Sequence, residues 1–254
     1  MRLLVSVRSP DEVRAALRGG ADIVDAKDPS RGTLGPVADD VLEAIVAQVP
    51  PHVALSVALG DVGSVEATRA AFGALRMNRR ATPYVKLGFG GVSEEGELLR
   101  LLDAAADAAA RHPARPRLVA VACADRDGSA KVILRGAGQA GAAGILLDTD
   151  IKDGRTLLDF WPENRLRDWV HAGRSAGLEV ALAGSLGLGD LARIAALGPD
   201  IVGVRGAACA GGRSGTVDAG RVHALRARLL MEPAAIAANH QIGRAGPPHQ
   251  SISK

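Results

Sequence analysis

The feature that most constrains the fold of this chain is an alternation of strand and helix patterns that repeats eight times. Short runs rich in Val, Leu, Ile and Ala predict strands at residues 3–7, 21–27, 53–58, 84–89, 117–122, 144–148, 179–183 and 200–204. Helical patterns follow at residues 10–18, 37–49, 65–77, 94–111, 129–140, 162–176, 190–196 and 217–231. Strands that are apolar on both faces are typical of parallel sheets covered by helices. Eight such units predict an α/β chain folded as a single (β/α)8 TIM barrel.

The main alternative is an open, doubly wound sheet. Such a sheet usually carries a Gly-rich dinucleotide loop after its first strand, whereas residues 8–10 read Arg-Ser-Pro and contain no G-x-G-x-x-G pattern. The length of 254 residues also suits one barrel of about 250 residues. We therefore predict a catalytic barrel domain over residues 1–231 and a polar, flexible tail at residues 232–254 that lies outside it.

Charge and composition exclude several classes of function. The chain has 31 basic and 28 acidic residues, a net charge of +3 and only 2% aromatic residues for stacking on bases. This argues against a nucleic-acid partner and suits a small anionic substrate. The N-terminus reaches a second arginine too early for a signal peptide, and no apolar run approaches the length that spans a membrane. Since the two cysteines lack metal-ligand spacing, we expect a cytoplasmic protein without a disulfide or a metal.

Lysine is rare in this chain, and its positions are informative. Only five of the 31 basic residues are lysines. Three of them, Lys27, Lys86 and Lys152, lie at or near the ends of predicted strands two, four and six, and these strand ends form the active-site face of a barrel. A chain that otherwise uses arginine keeps lysine where an amine must lose its proton. The other two, Lys131 and Lys254, are predicted to be solvated.

Aspartates accompany two of these three lysines. They flank the first lysine and surround the third, at Asp25, Asp28, Asp148, Asp150 and Asp153. Two neighbouring amines lower each other's pKa, a neutral amine can attack a carbonyl to form a Schiff base, and a carboxylate can transfer protons. A single Lys–Asp pair would favour a structural ion pair, but three lysines at one face favour catalysis.

The ends of strands seven and eight predict a phosphate site. Gly-rich loops at these positions present backbone N–H groups, and barrels often bind phosphate there. Arginine can add a charged fork, although Arg8 has a strand-end ion pair as its alternative role. The predicted phosphate ligands are Gly184, Ser185, Gly187, Arg205, Gly206 and Arg8. Residues 211–215 lengthen the second loop.

The same motifs resemble those of the (5-formylfuran-3-yl)methyl phosphate synthase family. The similarity runs over residues 1–231 and is carried by Asp-Ala-Lys-Asp-Pro at residues 25–29 and Ile-Lys-Asp-Gly at residues 151–154. Shorter matches lie at residues 4–9, 20–24, 32–35, 85–88, 147–149, 183–186 and 204–207. The resemblance implies a barrel that condenses two molecules of glyceraldehyde 3-phosphate, with loss of phosphate and water. The product would be 4-(hydroxymethyl)-2-furancarboxaldehyde phosphate, a methanofuran precursor.

The resemblance also implies roles for single residues. Lys27 would form the Schiff base and Lys86 would accept a proton, while Asp25, Asp148 and Lys152 match further site positions. It implies no metal and no organic cofactor. We therefore expect a Schiff-base-forming carbon–oxygen lyase that acts on phosphates. The sequence leaves the oligomeric state open, a homo-oligomer included.

Two other functions are compatible with the sequence. One is a different Schiff-base aldolase that acts on other phosphorylated aldehydes, and identification of the product separates it from the first function. The other is a non-catalytic phosphate-binding barrel that regulates a partner. For such a protein, borohydride trapping would fail with every triose phosphate.

Overall fold

The computed structural model describes residues 1–77, 83–126 and 128–231 of the chain. Within them, eight parallel strands form a closed barrel in sequence order, and the last strand pairs with the first. This confirms the predicted single (β/α)8 barrel. The strands are β1 Arg2–Val7, β2 Ile23–Ala26, β3 Ala54–Asp61, β4 Tyr84–Gly88, β5 Arg117–Cys123, β6 Gly144–Asp148, β7 Glu179–Leu182 and β8 Ile201–Val204. The predicted tail, with Lys254, lies outside the described residues.

Helices follow the strands and cover the barrel. They are α1 Pro10–Arg18, α2 Asp39–Gln48, α3 Val65–Ala74, α4 Glu95–Arg111, α5 Ser129–Gln139, α6 Leu157–Phe160, α7 Glu163–Ser175, α8 Leu191–Ala196 and α9 Ala219–Leu230. The sequence did not predict the short α6, two 3-10 turns at Pro29–Arg31 and Gly206–Ala208, or a small antiparallel pair of β9 Cys209–Ala210 and β10 Thr216–Val217. Among the described helices, none combines the length and apolar character needed to cross a membrane.

Alternation along each strand separates two cores. On β1, Leu3, Val5 and Val7 point outward and are fully buried in the large cluster beneath the helices. Each such side chain contributes about 1.5–3 kcal/mol of hydrophobic free energy. Leu4, between them, points inward and belongs to a smaller cluster inside the barrel. Polar residues at inward positions therefore face the barrel axis rather than the helices.

A polar cluster closes the amino-terminal end of the barrel. The Tyr84 hydroxyl donates to Glu179 at 2.7 Å and accepts from the Arg117 guanidinium at 2.7 Å. The same guanidinium stacks over the Tyr84 ring, 4.6 Å from its centroid. The carboxyl ends of the strands, at the opposite end, form the open face.

Candidate active site

A cavity of about 330 Å³ opens at the carboxyl ends of the strands. Three predicted lysines and one predicted aspartate line it: Lys27, Lys86, Lys152 and Asp148. Inward positions on β4 and β6 supply Lys86 and Asp148, while Lys27 follows β2 and Lys152 follows β6. The topology therefore brings together side chains that are up to 125 residues apart in sequence.

Asp25, on β2, and Lys86, on β4, form a buried ion pair inside the barrel. Lys86 Nζ lies 2.7 Å from Asp25 Oδ2, and the Ser6 hydroxyl donates to the same oxygen at 2.7 Å. Burial by itself would raise the pKa of Asp25, but the charges of Lys86 and Lys27 and these hydrogen bonds hold that pKa below its ordinary value. Asp25 Oδ1 is buried and has no hydrogen-bond partner within the described residues.

Asp148 and Lys152 form a second pair. Lys152 Nζ lies 3.0 Å from Asp148 Oδ1 and also donates to the Thr149 carbonyl at 2.6 Å and the Thr149 hydroxyl at 3.0 Å. The backbone N–H of Thr149 donates to Asp148 Oδ1 at 2.7 Å. Burial opposes ionisation of Asp148, yet the nearby amines of Lys152 and Lys27 lower its pKa. The carboxylate is therefore charged at neutral pH.

Lys27, unlike Lys86 and Lys152, has no carboxylate within ion-pair distance in the described residues. Its side chain makes no hydrogen bond or ion pair with the part of the chain that the structure describes, although it is only 6% exposed. Burial and then the Lys86 charge lower its pKa from 10.5 to about 8, against the opposing effect of Asp148 and Asp25. A substantial fraction of Lys27 is therefore a neutral amine near pH 8, and that amine faces the cavity.

Three aspartates predicted to accompany the lysines have other partners. Asp28 accepts from the backbone and hydroxyl of Ser30 and begins the turn at Pro29–Arg31. Asp150 pairs with Arg126 at 2.8 Å, and Asp153 pairs with Arg155 at 2.8 Å. Within the described residues none of these three carboxylates lines the cavity or hydrogen-bonds a lysine, so the prediction that they surround the lysines is corrected.

The loops after β7 and β8 present backbone donors to the cavity. Gly184, Ser185, Gly187 and Gly206 all line it, as predicted from the sequence. The backbone N–H groups of Ser185, Leu186, Gly206 and Ala207 have no hydrogen-bond partner within residues 1–77, 83–126 and 128–231. The N–H of Gly187 is not available, since it donates to Asp190 at 2.8 Å. The four free N–H groups form a surface suited to an anion.

The backbone conformation at Gly184 and Ser185 produces this arrangement. Gly184 has a φ of +113°, and a Cβ there would lie 2.9 Å from the Thr149 side chain. Ser185 follows with a φ of +53°, in the left-handed region that non-glycine residues rarely occupy. A residue with a side chain at position 184 would meet both the positive φ and the close Thr149 side chain, so the loop depends on glycine there.

Arg205 does not have the predicted role of a free phosphate ligand. Its five N–H donors are all occupied, by both carboxylate oxygens of Glu12 and by the carbonyls of Ser6, Arg213 and Gly215. Arg205 and Glu12 are both buried. The guanidinium therefore fixes the loop after β8 instead of binding an anion, and the predicted fork at Arg205 is corrected.

Arg8 also lies away from the cavity surface. Its side chain is 40% exposed, and its Nε lies 3.8 Å from Glu12. The cavity instead contains Arg213, which donates to the Gly32 carbonyl at 3.1 Å and has no carboxylate within 4.0 Å in the described chain. Only the length of the Gly-rich segment at residues 211–215 indicated Arg213 in the sequence.

Other reactive groups do not compete with the lysines. Burial and the nearby Asp148 raise the pKa of Cys123 to about 12, so its thiol stays protonated. Within the described residues no group of three or more His, Cys, Asp or Glu side chains is arranged to hold a metal ion. Ser56, on β3, lines the cavity, and its buried hydroxyl has no partner among the described residues.

Comparison with known proteins identifies relatives of this chain. Residues 3–226 match the family model described as 4-HFC-P synthase. The chain is 37% identical to the (5-formylfuran-3-yl)methyl phosphate synthase of Methanothermobacter thermautotrophicus, over 91% of this chain and 98% of that protein. It is 38% identical to the protein of the same name from Methanopyrus kandleri, over 82% and 89% of the two chains. The 3-hexulose-6-phosphate synthase of Salmonella typhimurium has a similar fold, with a TM-score of 0.62 at 21% identity over 91% of this chain and 99% of that one.

Proposed function

Because the chain belongs to the 4-HFC-P synthase family, we propose that it condenses two molecules of glyceraldehyde 3-phosphate through a Schiff base on Lys27. The product is (5-formylfuran-3-yl)methyl phosphate, which is the same compound as 4-(hydroxymethyl)-2-furancarboxaldehyde phosphate. The family is one of synthases, so the chain is an enzyme. One observation carries the assignment of Lys27: it is a buried, unpaired amine with a pKa of about 8 that faces the cavity.

The first steps follow from imine chemistry. The neutral Lys27 amine attacks the aldehyde of one triose, and loss of water gives the imine. The protonated imine acidifies the proton on carbon 2, and removal of that proton gives an enamine. The enamine electron pair then expels the phosphate from carbon 3. One phosphate leaves, and its oxygen keeps the electron pair of the broken carbon–oxygen bond.

The connectivity of the product determines the next steps. The phosphorylated carbon is a branch on the furan ring, so the new carbon–carbon bond must form at carbon 2 of the second triose. In the keto isomer of that triose, formed by a proton transfer from carbon 2 to carbon 1, carbon 2 is a carbonyl. The enol that phosphate loss leaves on the first triose adds to this carbonyl through its carbon 3, and the carbonyl oxygen takes up the displaced electron pair and a proton. Ring closure, loss of two waters and hydrolysis of the imine complete the product. The balance is two trioses to one product, one phosphate and two waters.

Two lysine–aspartate pairs are suited to these proton transfers. The Lys86–Asp25 pair, whose nitrogen and oxygen lie 2.7 Å apart, is assigned the proton transfer at the triose bound to Lys27: Asp25 takes a proton from Lys86, and the freed Lys86 amine, which lines the cavity, accepts the proton from carbon 2. The second carboxylate oxygen of Asp25, Oδ1, has no hydrogen-bond partner within the described residues and can therefore hold a proton during the transfer. The Lys152–Asp148 pair, with its nitrogen and oxygen 3.0 Å apart at the end of β6, is assigned the proton transfer on the second triose. General acid–base groups of this kind contribute about 10²–10⁴-fold to rates.

Binding of the phosphate is assigned to the loops after β7 and β8. The free N–H groups of Ser185, Leu186, Gly206 and Ala207 would hold the phosphate that stays in the product. Arg213 supplies the positive charge at this rim that had been expected from Arg205. A charged guanidinium without a carboxylate partner in the described chain supports this role.

The proposed product belongs to the biosynthesis of a cofactor. A furan that carries an aldehyde and a phosphorylated hydroxymethyl group is a precursor of methanofuran-type cofactors. The substrates are small triose phosphates of central metabolism, which supports a cytoplasmic location. Nothing in this scheme requires a nucleic acid or a membrane as partner.

Product analysis tests the proposal. We expect purified protein with glyceraldehyde 3-phosphate to release inorganic phosphate and the furan aldehyde in equal amounts, measured by phosphate assay and mass spectrometry. Lys27→Arg keeps the charge but cannot form the imine, so we expect a loss of at least about 10³-fold in rate. Lys131→Arg, at an exposed lysine of α5, is the matched control and should keep full activity. Release of a different sugar phosphate would instead support another Schiff-base aldolase.

A further inference from the structure

The interior of this barrel is unusually open beneath the lysines. Barrel interiors are normally filled by layers of bulky branched side chains. Here small residues occupy five inward positions on β1, β3, β8 and the end of β7, and all of them line the cavity: Ser6, Ser56, Ala181, Ala183 and Gly203. We call the space that they leave, between the lysines and Tyr84, the lower chamber. It forms the deep part of the 330 Å³ cavity.

The walls of the lower chamber are apolar. Leu4, Ile23, Val119, Leu146 and Ile201 line it, and each is at most 9% exposed. A triose phosphate carries an oxygen on every carbon and has no apolar face to place against these walls. Apolar cavities of this kind bind small apolar rings and disfavour water.

One polar atom in the chamber lacks a partner. Ser56 is only 1% exposed, and its hydroxyl has no hydrogen-bond partner within the described residues. Leaving a buried hydroxyl unpaired costs about 1–3 kcal/mol, so the Ser56 hydroxyl is a donor available to an acceptor atom of a ligand that enters the cavity. The chamber thus fits a ligand that is mostly apolar and carries one acceptor oxygen.

We propose that the lower chamber binds the furan ring of the product and of the dehydrated intermediates before it, with the Ser56 hydroxyl donating to a ring-side oxygen. The proposal rests on the proposed function. In the closed barrel only β1 separates β8 from β2, so the phosphate loop after β8 and the Lys27 amine after β2 both stand at the mouth of the cavity, and a ring joined to both lies beside the opening of this chamber. A site that is apolar and small favours loss of water from the bound intermediate, since it fits the flat ring better than its hydrated precursors.

Binding of a minimal ring tests the proposal directly. The probe is 3-furanmethanol, which has neither aldehyde nor phosphate, and its saturated analogue, tetrahydro-3-furanmethanol, is the comparison. We expect the full-length protein to bind the furan at least tenfold more tightly than the saturated ring, measured by calorimetry or ligand-observed NMR. Equal affinity for the two rings, or no binding of either, would overturn the proposal.

Variants locate the bound ring. Ala181→Leu and the smaller change Ala183→Val fill the chamber, and each should weaken furan binding at least tenfold while inorganic phosphate binds as in wild type. Ser56→Ala should weaken it severalfold. Ala70→Leu, on the exposed face of α3, is the matched control. Unchanged furan affinity in both filled variants, with wild-type folding by circular dichroism, would contradict the chamber as the site.

Borohydride trapping with glyceraldehyde 3-phosphate separates this inference from the proposed function. If the triose is trapped on Lys27 but furan does not bind, the chamber proposal fails and the Schiff-base function stands. If furan binds in the chamber but wild type gives no adduct, the proposed function fails and the ring site stands.

Discussion

Replacing Lys27, whose buried amine has no ion-pair partner within the described residues, should increase the free energy of unfolding at neutral pH. A pKa of about 8 for Lys27 in place of 10.5 corresponds to about 3 kcal/mol, at roughly 1.4 kcal/mol per pKa unit. Below pH 8 the lysine is protonated in both the folded and unfolded chains, so folding carries the full cost of burying its charge. The cost declines between pH 8 and 10.5, where only the unfolded chain holds the proton, and it is absent above that range. Lys27→Met removes this cost.

The assay is equilibrium unfolding by urea at pH 7 and at pH 10.5. We expect Lys27→Met to exceed wild type by up to about 3 kcal/mol at pH 7, or roughly 6–12 °C in Tm, and by much less at pH 10.5. Lys131→Met, at an exposed position, should stay within about 0.5 kcal/mol of wild type at both values. A Lys27→Met protein that is less stable than wild type at pH 7 would refute the reasoning, because it would assign Lys27 a stabilising ion pair.

Three further changes test other parts of the structure. Tyr84→Phe removes a hydroxyl that donates to Glu179 at 2.7 Å, and should lower the free energy of unfolding by about 1–3 kcal/mol in urea titrations; an unchanged value would mean that the cluster does not depend on it. Gly184→Ala should reduce phosphate affinity and turnover at least tenfold, because the site has a φ of +113°, whereas Gly189→Ala, with open space around it, should match wild type in the same assays. Arg205→Met removes the bidentate partner of the buried Glu12 carboxylate, which keeps only Arg8, and should cost about 3–5 kcal/mol by thermal unfolding; a cost under 1 kcal/mol would contradict the assigned structural role.

The barrel could be predicted from the sequence because its signals are local and repeated. Each strand is a short apolar run followed by a segment with helical periodicity. The predicted ends of the eight strands and of the helices that follow them lie within three residues of the observed ends. The two-residue strands Cys209–Ala210 and Thr216–Val217 were missed, because a pair so short has no periodicity. The α6 helix at Leu157–Phe160 was missed for the same reason, although Thr156 and Asp159 form its capping box.

The candidate site was predictable in position but not in pairing. The alternation of β2 places Asp25 and Lys27 on the same inward face, so their presence in the barrel followed from the sequence. Which lysine pairs with Asp25 depends on how the strands close, and the partner is Lys86, 61 residues away. The position of Arg205 after strand eight, beside a Gly-rich loop, predicts a phosphate ligand. Its observed partner Glu12 lies 193 residues earlier, and no local pattern indicates such a contact.

The central claim is that Lys27 forms a Schiff base as a neutral amine. The most direct measurement is borohydride trapping with glyceraldehyde 3-phosphate between pH 6 and pH 9.5, followed by intact mass and peptide mapping of wild type and Lys27→Arg. We predict an adduct on Lys27 that the variant lacks, formed about tenfold faster per pH unit up to about pH 8 and at a constant rate above it. An adduct on Lys86 or Lys152, or no adduct while the triose binds, would contradict the account.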